Sequence, residues 1–104
     1  LAFRCDLETV VLGALDGEPA HGYSIGKKIT KGSNGTIKLG EGQLYPTLKK
    51  LEDAGMVSGE WHPQEGKPWR RIYVITESGR KELEVRRTIW SQFRTNINSV
   101  LNVV

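Results

Sequence analysis

The 104-residue chain is expected to adopt an α+β fold, mainly α: a winged helix-turn-helix with a two-stranded wing and a long C-terminal helix. Three features carry that expectation. Residues 42–53 place Leu44, Leu48 and Leu51 at helical spacing on one side and polar groups on the other. Two extended runs rich in β-branched and aromatic residues follow, at 57–61 and 69–75, around a Pro/Gly-containing break. Leu83, Trp90, Ile97 and Val104 then recur every seven residues, with Phe93 and Val100 between them. A polar-faced helix, a hairpin and a long helix in this order are far more specific together than singly.

The first helix is marked by Leu7, Val10, Val11, Ala14 and Leu15, which offer one apolar face. A second helix is expected over 21–31. Ile25 and Ile29 face inward there, while Lys27, Lys28 and Lys31 lie toward solvent or phosphate. Gly22 and Gly26 lower its helix propensity by about 1 kcal/mol each, so they suit close approach of a neighbouring helix or a nucleic-acid backbone. Tyr23 can donate its hydroxyl to a phosphate or pack its ring on the core. Residues 32–35 make a turn, and residues 36–39 are expected to add a short strand.

Pro46 constrains the third helix. Proline has no amide donor and is tolerated in a first turn, so the helix should begin close to residues 40–42, with Pro46 near its start. Gln43, Thr47 and Lys50 recur on one exposed side, flanked by Tyr45 and Lys49. These are hydrogen-bonding and cationic groups, which suit base edges and phosphates; the alternative is an ordinary amphipathic surface helix. Gln43 is the candidate for base readout, because its amide can pair with adenine, and Lys49 and Lys50 are candidates for phosphate. Gly55 suits the left-handed position that ends a helix. The break at 62–68 looks too long for a two-residue turn, and Lys67, Arg70 and Arg71 cluster on its far arm as backbone contacts. Alternation puts Arg70 and Arg71 on opposite faces of their strand. Thr76 is a fitting N-cap for the last helix, although Gly79 three residues on leaves no capping box.

Charge is distributed in blocks: −3 over residues 1–26, +5 over 27–50, −4 over 51–66 and +5 over 67–104, for a net of +3. The positive blocks coincide with the second and third helices and the wing arm, where a winged domain meets a polyanion. The length suits one core. No apolar run approaches the roughly 20 residues that span a bilayer. No secretory segment is visible, although the chain begins at Leu1 rather than Met. The lone Cys5 excludes an internal disulfide and is compatible with a reducing compartment, so a cytoplasmic location without membrane contact is expected. No catalytic group, metal site or cofactor is expected: His21 and His62 are the only histidines, and one cysteine provides no zinc spacing.

Several stretches resemble the PadR-like transcriptional regulators, a bacterial group of winged-helix proteins. They are His21-Gly22-Tyr23, then Gly42-x-Leu44-Tyr45-Pro46-x-Leu48-x-x-Leu51-Glu52-x-x-Gly55, and Arg71-Ile72-Tyr73-Val74-Ile75-Thr76-x-x-Gly79-Arg80. Together they cover roughly residues 7–83. Where many members carry two adjacent aromatics, this chain has Ile72-Tyr73. The resemblance implies a winged domain over 1–76 and a C-terminal dimerisation helix over 77–104, packed with the first helix as one compact unit. It also implies promoter binding, more in the manner of a repressor, at an inverted repeat read by a homodimer. It allows a small aromatic effector near the dimer interface, where Trp90 could stack.

Taken together, the expected partners are double-stranded DNA and a second copy of the chain. The DNA-contacting candidates are Tyr23, Lys27, Lys28, Gln43, Tyr45, Thr47, Lys49, Lys50, Lys67, Arg70 and Arg71. Those for the dimer seam are Leu7, Val10, Val11, Leu83, Trp90, Phe93, Ile97, Val100 and Leu101. Arg86 interrupts that stripe. A stripe this apolar exceeds what a small winged domain needs, although it could instead fold back on the first helix. The competing function is a winged helix used as a protein-interaction module, which would bind without steep salt dependence.

Overall fold

A computed structural model gives the fold of residues 6–103. Cys5 and Val104, the last position of the heptad stripe, lie outside the described residues. The order is α1 (Leu7–Leu15), β1 (Ala20–His21), α2 (Gly22–Gly32), α3 (Glu41–Asp53), β2 (Val57–Gln64), β3 (Lys67–Ile75) and α4 (Glu77–Leu101). The strands form one antiparallel sheet in the order β1-β3-β2.

Each helix begins on a residue able to cap it or leave its first amides open. Asp6 accepts from the Thr9 amide and, at 2.8 Å, from its hydroxyl. Gly40 precedes α3 without a side-chain cap. The four apolar stripes then converge: Val11, Leu12 and Leu15 from α1, Ile25 and Ile29 from α2, Leu44, Leu48 and Leu51 from α3, and Leu83 from α4. Val57, Tyr73 and Ile75 close the core from the sheet. Full burial of such side chains contributes about 1.5–3 kcal/mol each.

Three local expectations are corrected. Residues 36–39 form no strand. Ser33 takes up their backbone groups instead, its Oγ accepting the Ile37 amide at 2.9 Å, while Ile37 and Leu39 lean on the core. The third strand is Ala20–His21, paired with Tyr73 and Ile72. α3 begins at Glu41, within the expected 40–42, but Pro46 stands at its sixth residue rather than in its first turn. The Gly42 carbonyl that thereby loses its partner lies on the exposed side of the helix, where water can serve it. The hairpin closes by a two-residue turn, Glu65-Gly66, with Gly66 at φ 68°. Positive φ at the second central position is the type II pattern that glycine satisfies. Pro63 is accommodated because β2 is an edge strand and its register shifts between His62 and Gln64.

The start of α4 is locked to the end of α3. Gly55, at φ 76°, follows the α3 cap, and the Met56 amide returns to the Leu51 carbonyl at 2.9 Å. Thr76 donates its hydroxyl to the Gly55 carbonyl at 2.7 Å and its amide to Met56 O at 3.0 Å, and accepts from the Gly79 amide at 3.0 Å. Gly79 is buried so tightly that a Cβ would overlap the Met56 carbonyl. Farther along, Arg86 bonds Glu82 at 3.0 Å and Glu8 of α1 at 3.3 Å. The apolar stripe is interrupted there because α4 is crossing the acidic start of α1. Beyond it α4 projects from the core. The radius of gyration is 15.4 Å, against about 13 Å for a compact chain of this length.

Candidate nucleic-acid interface

The exposed side of α3 carries the expected polar groups, but they are not equally available. Gln43 is exposed, and its carbonyl accepts the Thr47 hydroxyl at 2.7 Å. Thr47 therefore spends its donor on its own helix, leaving its oxygen lone pairs and methyl group for a partner. Lys49 pairs with Asp53 at 3.5 Å, one turn on. Lys50 turns toward α1 and pairs with Glu8 at 3.5 Å. Both lysines are about three-quarters exposed, so such pairs are worth at most about 1 kcal/mol and yield readily to a phosphate. Tyr45 is partly covered: a Cβ at Gly22 would overlap its ring and hydroxyl, so Gly22 is what allows α2 to approach α3.

Between α2 and the amino end of α3 lies an open cleft of about 490 Å³. Gly22, Gly26, Leu39 and Leu44 form its apolar floor, and Tyr23, Lys27, Lys31, Lys38 and Glu41 stand around it. Tyr23 is exposed. Its ring is parallel to that of His21, with centroids 6.4 Å apart, and Lys27 Nζ lies 5.1 Å above it. Core packing is thereby excluded for Tyr23. Lys27, Lys31 and Lys38 have no acidic partner among the described residues, whereas Lys28 turns away to Glu18 at 3.8 Å. Lys38 was missed by sequence reasoning because it precedes α3 outside any periodic segment; only the +5 block over residues 27–50 signalled it.

His21 orients this region. Its Nδ1 accepts from the Ser24 amide at 3.4 Å as the cap of α2, which leaves Nε2 to carry the proton and donate to Ser24 Oγ at 2.8 Å. Burial, and secondarily the charge of Arg70, hold the imidazole below its ordinary pKa. The neutral ring is the form that caps.

On the wing, Arg70 and Arg71 take opposite faces. Arg70 is exposed across from His62, and Lys67 is exposed beside the tip. Arg71 turns toward α3 and pairs with Glu52. Trp61 and Trp69 are both exposed, and alternation puts them on the Arg71 face. Sequence reasoning missed the Arg71–Glu52 pair because its members are 19 residues apart; both did lie in the family-like motifs.

The seam candidates divide as well. Val11 and Leu83 are 0% and 2% exposed within the subunit's own core, so neither can face a partner; periodicity alone does not distinguish a core stripe from a seam. Leu7 and Val10 are half-buried on α1. Trp90, Val100 and Leu101 are exposed on the projecting part of α4, with Phe93 and Ile97 half-buried. Trp90 and Phe93 form a tilted ring pair at 5.8 Å.

A three-stranded sheet with a projecting hairpin, packed on a helix whose outer face is polar, defines a winged helix-turn-helix domain. Residues 11–85 match the transcriptional regulator PadR-like family. The chain belongs to that family. It is 38% identical over 79 residues to an uncharacterized 37.1 kDa protein in transposon TN4556 of Streptomyces fradiae, covering 76% of this chain and 21% of that one. It is 31% identical over 77 residues to the negative transcriptional regulator PadR of Bacillus subtilis, covering 74% and 42% respectively. The chain thus spans less than half the length of these curated relatives. The crystal structure of Bacillus subtilis PadR in complex with operator DNA superposes with a TM-score of 0.69 at 30% identity, over 76% of this chain and 45% of that one. A PadR family transcriptional regulator from Eggerthella lenta gives 0.80 at 27% identity, over 91% and 80%. Among the described residues no helix is long and apolar enough to cross a membrane, and no cluster of His, Cys, Asp and Glu could hold a metal ion.

Proposed function

We propose that this chain is a sequence-specific DNA-binding regulator, acting as a repressor and bound as a homodimer to an inverted repeat. The observation that carries the reading is the cationic surface at the amino end of α3. Lys27, Lys31 and Lys38 stand around it unpaired among the described residues, outnumbering Glu41, and Gln43 is exposed on another side of the same helix. Gln43 has the group that reads adenine, and the lysines have the charge that grips phosphate. Likeness to a repressor solved with its operator supports the same reading. Two copies joined through Trp90, Phe93, Ile97, Val100 and Leu101 would present two α3 helices about a two-fold axis, the symmetry an inverted repeat requires. An aromatic effector would stack at the Trp90–Phe93 pair.

Selection from a random-sequence duplex pool, followed by titration of the recovered duplex at several salt concentrations, tests this. The expected result is an enriched palindromic site whose affinity falls steeply with salt. Failure to enrich any sequence, with no saturable duplex binding, would overturn it.

A further inference from the structure

Arg71 sits where the wing meets α3, and groups from three elements surround it. Its Nη2 donates to Glu52 Oε2 at 2.5 Å, and the same oxygen accepts the Gly59 amide at 3.1 Å. Glu52 belongs to α3, Gly59 to β2 and Arg71 to β3, so one carboxylate oxygen ties the helix to both strands of the wing. The guanidinium carbon lies 5.4 Å from the ring centroid of Trp61, its cross-strand partner, and 5.8 Å from that of Tyr73. Both distances allow attraction between a cation and an aromatic face. Gly59 keeps the path open, since a Cβ there would overlap the guanidinium.

The Arg71 charge is therefore already satisfied inside the protein. Its side chain and that of Glu52 are 29% and 31% exposed. Moving the guanidinium onto a phosphate would leave the half-buried Glu52 carboxylate with the Gly59 amide but without its cation, which opposes the transfer. Arg70, one residue earlier on the other face, has no acidic partner among the described residues and faces no such cost.

We infer that Arg71 is a positioning residue: bracketed by Glu52, Trp61 and Tyr73, it sets the angle between wing and α3 so that both engage one duplex. This replaces the expectation that Arg71 grips the backbone, and it rests on the duplex binding proposed above. The two roles differ in sign for Glu52→Gln. That change makes the protein more positive, so electrostatics alone favours tighter duplex binding. Positioning requires the reverse, because a neutral amide no longer holds the guanidinium by charge.

The test is an anisotropy titration of a labelled copy of the selected duplex with the parent, Glu52→Gln and Arg71→Lys, each checked for folding by circular dichroism. Glu52→Gln is expected to weaken binding by about 3- to 30-fold, the range over which coupled elements act. Its salt slope should also fall, although no cation has been removed, because the loosened wing withdraws Lys67 and Arg70. Arg71→Lys keeps the charge but loses the planar fork, and it should weaken binding similarly. A folded Glu52→Gln protein that binds as tightly as the parent, or more tightly, overturns the inference alone. Should Glu52→Gln not fold, parent-like affinity of Arg71→Lys overturns it instead. A parent that binds no duplex removes both this inference and the functional reading beneath it.

Discussion

At the residue scale, Gly13 and Gly79 have opposite consequences for the same substitution. Gly13 lies inside α1 with nothing within 4 Å of an added Cβ, so Gly13→Ala should raise stability by up to about 1 kcal/mol through helix propensity. Gly79 also lies in a helix, but its Cβ would meet backbone at Met56. Gly79→Ala should lower stability by about 1–3 kcal/mol despite the better propensity. Urea midpoints of the two variants, moving in opposite directions, check this. His21 gives a pH dependence. Its folded-state pKa lies below the ordinary 6.5, so as pH falls the unfolded chain takes up the proton first. The cap's contribution is complete above 6.5 and declines as pH drops through the folded-state value. His21→Asn keeps an acceptor without titrating, so its urea midpoint should fall less than the parent's between about pH 7 and pH 5. Equal pH slopes would refute this. The role of His21 as a cap was not legible in sequence, because the residue that opens α2 is also the end of a two-residue strand.

At the element scale, α3 and the wing were the most legible parts and also the source of the largest revisions. Leu44, Leu48 and Leu51 placed the helix because core periodicity is a local property of the chain. The polar side was harder: Thr47 and Lys49 have partners one turn away within α3, but Lys50 pairs with Glu8 of another helix, which spacing does not disclose. The composition of residues 62–68 resembled a loop, yet edge-strand and bulge positions admit its prolines, and the hairpin runs nearly to its tip. Two substitutions separate grip from readout. Arg70→Ala should weaken all duplexes similarly and lower the salt slope by about 1, with thermal stability unchanged. Gln43→Ala should relax discrimination at one or two base pairs per half-site, costing about 1–3 kcal/mol on the selected site. An unchanged ratio of specific to scrambled binding in Gln43→Ala would remove Gln43 from base readout.

At the scale of the whole molecule, α4 serves two environments. Its first turns complete the subunit core through Leu83 and strap α1 through Arg86, whereas Ile89, Trp90, Val100 and Leu101 face outward. The heptad pattern announced the length of α4 but not where buried core gives way to exposed apolar surface, since the same apolar residues occupy both. Substituting Trp90 and Ile97 with Asp should leave a folded monomer, because neither contributes to the buried core. Unpaired carboxylates in a dry seam would oppose association. Sedimentation should show the monomer, circular dichroism its helices, and titration weak binding to a half-site without cooperative binding to the full repeat. A dimer that survives both substitutions would move the seam elsewhere.

The hydrogen bonds from Thr76 to Gly55 and Met56, with the pairs from Arg86 and Arg87 to α1 and its cap, seat the base of α4 against the end of α3 and make the rest of it a lever. Past Arg87, the last described residue ion-paired to α1 or its cap, 14 residues of α4 (88–101) remain, an arm of about 21 Å, so a tilt of about 10° at its base sweeps the far tip through roughly 4 Å. In the proposed dimer, a modest slide between two such arms would return to this base as a small rotation of α3, and the distance between the two α3 helices would become a quantity set far from either of them.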